Sequence, residues 1–355
     1  MHVDVYNEQM AAPADLIVES FDPHTAPENI LRARYAFASV MENELDPGTP
    51  FSPYDVWLAE QRRTPSWAVN HRWIGWAPDR SEVVASAYLG LQYTETNRHL
   101  AWFDISVNAA WRRQGIGRHL LREIVAIGKA DGRSILGAGT IQGHAAESFL
   151  KSMGCEQKTV ERRSRLIVDD VDGALLDEWI ADAKTRAADY SLIVIDGVMP
   201  DELLEPFVDL EHTMNDAPRD DLDMEDWVIT PERYREREKL DLDAGNKKWT
   251  MIVRHDPTGE LAGFTAIGWH PSTEAVAWQF GTAVRREHRG AGLGRWMKAA
   301  MIVKVREELP TIEFIDTWNA GTNKWMLDIN IKLGYSPYLH YTDWQAPTEV
   351  LEAAV

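Results

Sequence analysis

The stretch Ala283–Ile302, AVRREHRGAGLGRWMKAAMI, sets three glycines and a group of arginines against the start of an apolar run. An earlier stretch, Val107–Val125, VNAAWRRQGIGRHLLREIV, has the same layout. Phe103, Val107, Arg112, Gly115, Gly117 and Arg118 fall on Phe280, Val284, Arg289, Gly292, Gly294 and Arg295, each pair 177 residues apart (289 − 112). The chain is 355 residues long, so one half repeats the other.

The residues flanking the glycines fix their setting. Before them, Phe103, Ile105 and Val107 alternate with Trp102, Asp104 and Ser106, the period of a strand. After Gly117, Leu120, Leu121, Ile124, Val125 and Ile127 share one helical face, which Gly132 closes. The spacing predicts helices that begin at Gly117 and Gly294. A helix starts with unbonded N–H groups and the positive end of its dipole. Glycines keep side chains away from those groups, which makes a cradle for a diphosphate. One copy is matched by an ordinary tight turn; two copies in register favour the cradle. The P-loop pattern fails, because His119 and Trp296 follow Arg118 and Arg295. The dinucleotide fingerprint fails too, because Leu120 and Met297 stand where a third glycine belongs.

Further out, each half gives one order of elements. The first runs from a strand at LIVES through helices over Glu28–Met41 and PYDVWLAEQ, then strands at WAVNHRWIGW, VVASAYLGL and AWFDISV. SILGAG, HAAESFLKSM and SRLIV follow as strand, helix and strand. The second repeats this from SLIVIDG to NKWMLDINIKL. ALLDEWIADAKTRAA reads as a helical connector. The expectation is an α/β protein of two domains, each a mixed central sheet flanked by helices. Their bounds are 1–171 and 191–355, joined by 172–190.

Composition limits the function. A net charge of −19 opposes a grip on nucleic acid or anionic lipid, and no apolar run is long enough to cross a membrane. The start, MHVDVYNEQMAAPADL, shows no basic segment followed by an apolar one, which is the pattern of a leader. The single Cys155 rules out an internal disulfide and suits the cytoplasm. The histidines, His288 among them, show no metal-ligand spacing, so no metal is expected. Monomer and homodimer both remain open.

Arg-x-x-Gly-x-Gly after a strand resembles motif A of the GNAT (Gcn5-related) acetyltransferases. The likeness continues in NKWMLDINIKLGY, where Asn323 and Gly334-Tyr335 match a second signature and Asn330 replaces its tyrosine. In the first half Gly143, Leu150 and Cys155 occupy the Asn, Tyr and aromatic positions. The whole resembles tandem GNAT proteins, including the mycothiol synthase type. That resemblance implies direct transfer of an acetyl group from acetyl-CoA to an amine. It implies cofactor contacts from Ile105, Val107, Arg112, Arg113, Gln114, Gly115, Ile116, Gly117 and Arg118 in the first half. In the second half it implies them from Thr282, Val284, Arg289, Gly290, Ala291, Gly292, Leu293, Gly294, Arg295, Asn319 and Asn323.

Asn323, Asn330 and Tyr335 are the candidates nearest the family's catalytic positions, and Asp104 is a candidate base on the strand before the cradle. Asp216, Asp220, Asp221 and Asp223 lie in the acidic stretch NDAPRDDLDMEDW, where GNATs wall the acceptor pocket. The expected activity is N-acetylation of a small cationic amine; one or both halves turn over, and if only one does, it is the second. A non-catalytic acyl-CoA-binding protein and a protein or peptide acetyltransferase are the alternatives.

Overall fold

The computed structural model describes residues 16–273 and 275–355. Residues 1–15, which carry most of the expectation about a leader, lie outside the described residues. The first half runs β1 (Ile17–Ser20), α1 (Glu28–Leu45), α2 (Tyr54–Arg62), β2 (Ala68–Trp76), β3 (Val83–Gln92) and β4 (Leu100–Val107). It continues with α3 (Ile116–Ala130), β5 (Ile135–Ile141), α4 (Ala145–Ser152) and β6 (Glu156–Ile167). The connector is α5 (Gly173–Arg186). The second half runs β7 (Tyr190–Asp196), α6 (Asp201–Glu211), α7 (Pro231–Asp243), β8 (Lys247–His255), β9 (Leu261–Trp269) and β10 (Val276–Val284). It ends with α8 (Leu293–Glu308), β11 (Phe314–Ala320), α9 (Lys324–Leu333), β12 (Ser336–Pro347) and α10 (Thr348–Ala354).

The helices sort to the two faces by their apolar stripes. Leu120, Leu121, Ile124 and Val125 of α3 pack with Leu150 and Met153 of α4 against one face of the first half's strands. Leu31, Phe37 and Met41 of α1 cover a separate core that includes Ile74 of β2. The second half repeats this, with α8 packed on β8–β11 and α6 and α7 forming a second core with Ile252 and Phe264.

All twelve strands form one sheet, in the order β1-β2-β3-β4-β5-β12-β6-β11-β10-β9-β8-β7. The order reads the same from either end once the halves are interchanged, which is a pseudo-twofold arrangement. It also differs from one sheet per half. β6 pairs with β11 of the second half, and β12 with β5 of the first. The exchanged strands are sealed by packing. Leu166 and Val168 belong to the second half's core, and Trp344, Ala346 and Leu351 to the first half's.

A buried ion cluster locks the exchange from the other face. Arg163 of β6 bonds Asp316 of β11 (Nε–Oδ2 2.7 Å) and Asp46 after α1 (Nη1–Oδ2 2.6 Å). Arg165 bonds both oxygens of Asp316 at 2.8 Å and reaches Thr49 with Nη2 at 2.7 Å. Neither half completes its own sheet or neutralises its own charges here.

Candidate active site

The helices α3 and α8 begin one residue before the predicted starts. Gly115 and Gly292 are their N-caps, in the left-handed conformation at φ 81° and 83°. Two residues earlier the backbone is left-handed again, at Arg113 (φ 64°) and Gly290 (φ 91°). Alternation of this kind turns successive amides into one concavity that favours an anion. A Cβ built on Gly290 or Gly292 would meet no protein atom within 4 Å, so the space over the second loop is open. A Cβ on Gly294 would meet only Ile329, at 3.6 Å; one on Gly117 would press on Phe149 at 3.3 Å. The alternation favours an anion at both loops, and the second has the more open space.

The motif arginines brace these loops. Arg112 Nε donates to the Val107 carbonyl and Arg289 Nε to the Val284 carbonyl, each at 2.9 Å. Each guanidinium is also held by a carboxylate, Glu44 in the first half and Asp216 in the second. Arg112 and Arg289 therefore position the end of the strand against the cradle. Ile116 and Leu293 are buried beneath the loops, Gln114 reaches the Ala110 carbonyl at 3.4 Å, and the Arg295 guanidinium lies over Trp179.

Beside each cradle two parallel strands part. β4 and β5 pair only over Leu100–Trp102, and β10 and β11 only over Val276–Gln279. Phe103–Val107 and Phe280–Val284 are thereby left without a partner on that side, including Ile105, Val107, Thr282 and Val284. The halves then differ. The β3–β4 ladder runs without a break from Gly90–Trp102 to Ala85–Val107. The β9–β10 ladder skips from Gln279 to Thr282, leaving Phe280 and Gly281 as a bulge. Side chains pin it on both sides: Gln279 Nε2 donates to the Ala266 carbonyl at 2.7 Å, and the Thr282 and Thr265 hydroxyls meet at 2.7 Å. A bulge re-aims backbone groups, and this one aims them at a cavity.

That cavity has a volume of about 540 Å³ and is lined by Phe280, Gly281, Trp278, Trp269, Phe207 and Tyr234. Glu211, Glu238 and Asp241 face it together with Arg237, Lys247 and Lys248, and the first half closes it with Ser52, Val56, Glu60 and Arg63. The sequence carried no signal for that last wall, which exists only once the halves dock. A smaller cavity of about 210 Å³ occupies the matching place in the first half, with Asp104 on its wall.

The other candidates fall as follows. Asn323 caps α9, its Oδ1 accepting from the Met326 N–H at 3.3 Å. His144, not Gly143, does the same for α4 (Nδ1 to Ala146 N–H, 3.2 Å). Asn330 is fully buried and donates Nδ2 to Asn319 Oδ1 at 2.8 Å, while its own Oδ1 has no partner among the described residues. Tyr335 sits in the second half's core and lines neither cavity, and burial with Asp316 nearby pushes its hydroxyl pKa up. It is a packing residue.

The acidic stretch lines neither cavity either, because its side chains and backbone are engaged elsewhere. Asp216 pairs with Arg286 and Arg289, which holds its pKa below the usual carboxylate range. Asp220 accepts from Thr159 (2.9 Å) and Thr322 (2.8 Å), the Asp221 N–H bonds the Lys158 carbonyl, and Asp223 meets His99 and Gln345. The segment is a strap laid across β6 and β12. It sets acid on acid: burial, with Asp220 nearby, raises the Glu161 pKa, and burial with Glu161 nearby pushes Asp343 up to about 7. The folded protein then binds more protons than the unfolded chain between the ordinary carboxylate range and pH 7, so stability falls as pH rises through that window. Asp343→Asn is expected to raise stability at pH 8 by about 1–2 kcal/mol, allowing for solvent screening, and by less at pH 5. Denaturant unfolding at the two pH values measures it.

Glu260, Glu287 and His288 place their ligand atoms within 4.8 Å of one another, a grouping that spacing along the chain does not reveal. His288 bonds the Tyr190 hydroxyl (3.0 Å) and Glu260 (3.2 Å), and Arg285 stands beside Glu260. Among the described residues no helix is long and apolar enough to cross a membrane.

The profile of the Acetyltransferase (GNAT) family matches residues 38–155 and 211–325. No curated protein matches the chain. Among solved structures, a tandem GNAT protein from the clavulanic acid biosynthesis pathway is 22% identical with a TM-score of 0.76, covering 94% of this chain and 98% of that one. A GCN5-related N-acetyltransferase from Sphaerobacter thermophilus is 14% identical with a TM-score of 0.66, over 95% and 97% of the two chains.

Proposed function

From the premise that this chain belongs to the GNAT acetyltransferase family, as a tandem member, we propose that its second half acetylates a small cationic amine. The bulge at Phe280–Gly281 carries this reading, because it lies where the opened strand, the cradle and the larger cavity meet. Acetyl-CoA, when bound, supplies the acetyl group as a thioester. Gly290, Gly292, Leu293 and Gly294 would hold its diphosphate with backbone N–H groups. Amides fixed before charge develops on a carbonyl oxygen favour the transition state, and Thr282–Val284 offer amides of that kind. Trp269, Trp278 and Phe280 supply faces for an ammonium group; Glu60, Glu211, Glu238 and Asp241 line the cavity as ion-paired carboxylates, their charge balanced by Arg63, Arg237, Lys247 and Lys248. Holding the amine in line beside the bulge contributes much of the remaining rate. The bound ammonium gives a proton to water before its nitrogen attacks the thioester carbonyl. The C–S bond then breaks, and because Asn330 has no dissociable proton to give, the departing CoA sulfur is protonated through water, which also carries off the second proton lost by the nitrogen.

The test is thiol release from acetyl-CoA across a panel of polyamines, amino sugars and basic amino acids, with product masses. The expected result is a subset that gains one acetyl group on nitrogen. Thiol release that no amine stimulates would contradict the proposal.

A further inference from the structure

The 210 Å³ cavity of the first half, bounded by Arg34, Arg72, Trp73, Ser86, Tyr88 and Asp104, is not used by the reaction proposed above. Among the described residues, the Arg34 Nη1 is buried without a hydrogen-bond partner. The guanidinium lies between Phe37 and Trp57, with its carbon 5.5 and 5.9 Å from the two rings, and burial lowers its pKa to about 10. Arg72, also on the wall, donates to the Gln61 carbonyl at 3.0 Å and lies over the Tyr88 ring. Asp104, among the described residues, accepts a hydrogen bond from Ser106 alone, at 3.3 Å. Asp104 is exposed on the cavity wall, yet desolvation by the surrounding protein raises its pKa and Arg34 opposes that rise.

Arg34 and Asp104 thus sense one another's charge across the cavity without making contact. An unsatisfied buried guanidinium is costly, and a carboxylate accepting two of its N–H groups relieves that cost. An ammonium group does the same for Asp104. We infer that this cavity binds a small zwitterion, a free α-amino acid, with its carboxylate on Arg34 and Arg72 and its ammonium on Asp104. The volume, the space of about seven waters, suits a molecule of that size. The inference stands whichever half turns over.

Calorimetric titration with glycine, L-alanine, L-serine and L-aspartate tests it, beside the amide and N-acetyl form of each. At least one free amino acid is expected to bind one to one. Its amide, lacking the carboxylate, and its N-acetyl form, lacking the ammonium, should each bind at least tenfold more weakly. Arg34→Gln and Asp104→Asn should each weaken binding tenfold or more, while Gly294→Asp in the other half leaves it unchanged. Thermal unfolding checks that each variant is folded, and Arg72→Gln replaces Arg34→Gln if that one is not. The inference is overturned if none of the four amino acids binds. It is equally overturned if the amides bind as well as the acids, or if the folded cavity variants keep wild-type affinity.

Discussion

Gly294→Asp is expected to lower turnover about a hundredfold or more while leaving the protein folded. Residue 294 lies in the first turn of α8, where an acidic side chain favours the helix through its dipole. The backbone there is not left-handed, and a Cβ would meet Ile329 only at an ordinary 3.6 Å. The substitution is therefore tolerated by the fold and hostile to the ligand, because it sets a carboxylate where a diphosphate belongs. A penalty of about 2.7 kcal/mol corresponds to that hundredfold loss. Steady-state rates with acetyl-CoA varied should show the defect as a higher KM as well as a lower kcat/KM.

Asp316→Ala is expected to cost about 3–5 kcal/mol of stability, because it leaves the Arg163 and Arg165 guanidiniums facing one another without their shared counter-ion. Asp316 is fully buried, so water cannot make up the loss. The damage falls on the junction of α1, β6 and β11, where the two halves are joined. Denaturant unfolding measures the change, and a loss below about 1 kcal/mol would show that the cluster does not hold the exchanged strands.

The sequence disclosed the elements and the cradle, because both rest on local rules. Strand alternation before Gly115 and helical periodicity after it needed no tertiary information. The duplication doubled the weight of each motif. The strand exchange was illegible, because β6 and β12 alternate the same way whichever neighbour they pair with. Only the partners of Arg163 and Arg165 decide the pairing, and Asp316 lies some 150 residues further on. Asn323 was found as a motif residue, and the structure gives it a capping bond. Tyr335 looked available beside Gly334, but a left-handed turn at that glycine sends it into the core. The acidic strap was noticed for its charge and misplaced, since its partners lie on β6, β12 and the turn before α8. The bulge at Phe280–Gly281 left no trace in alternation alone.

If the second half alone carries out the transfer, Gly117→Asp leaves turnover intact. This variant sets a carboxylate in the first cradle only. With an acetyl-accepting amine, it should keep wild-type turnover and release one CoA thiol for each acetylated product. Activity lost in Gly117→Asp and retained in Gly294→Asp would contradict the claim and move the reaction to the first half.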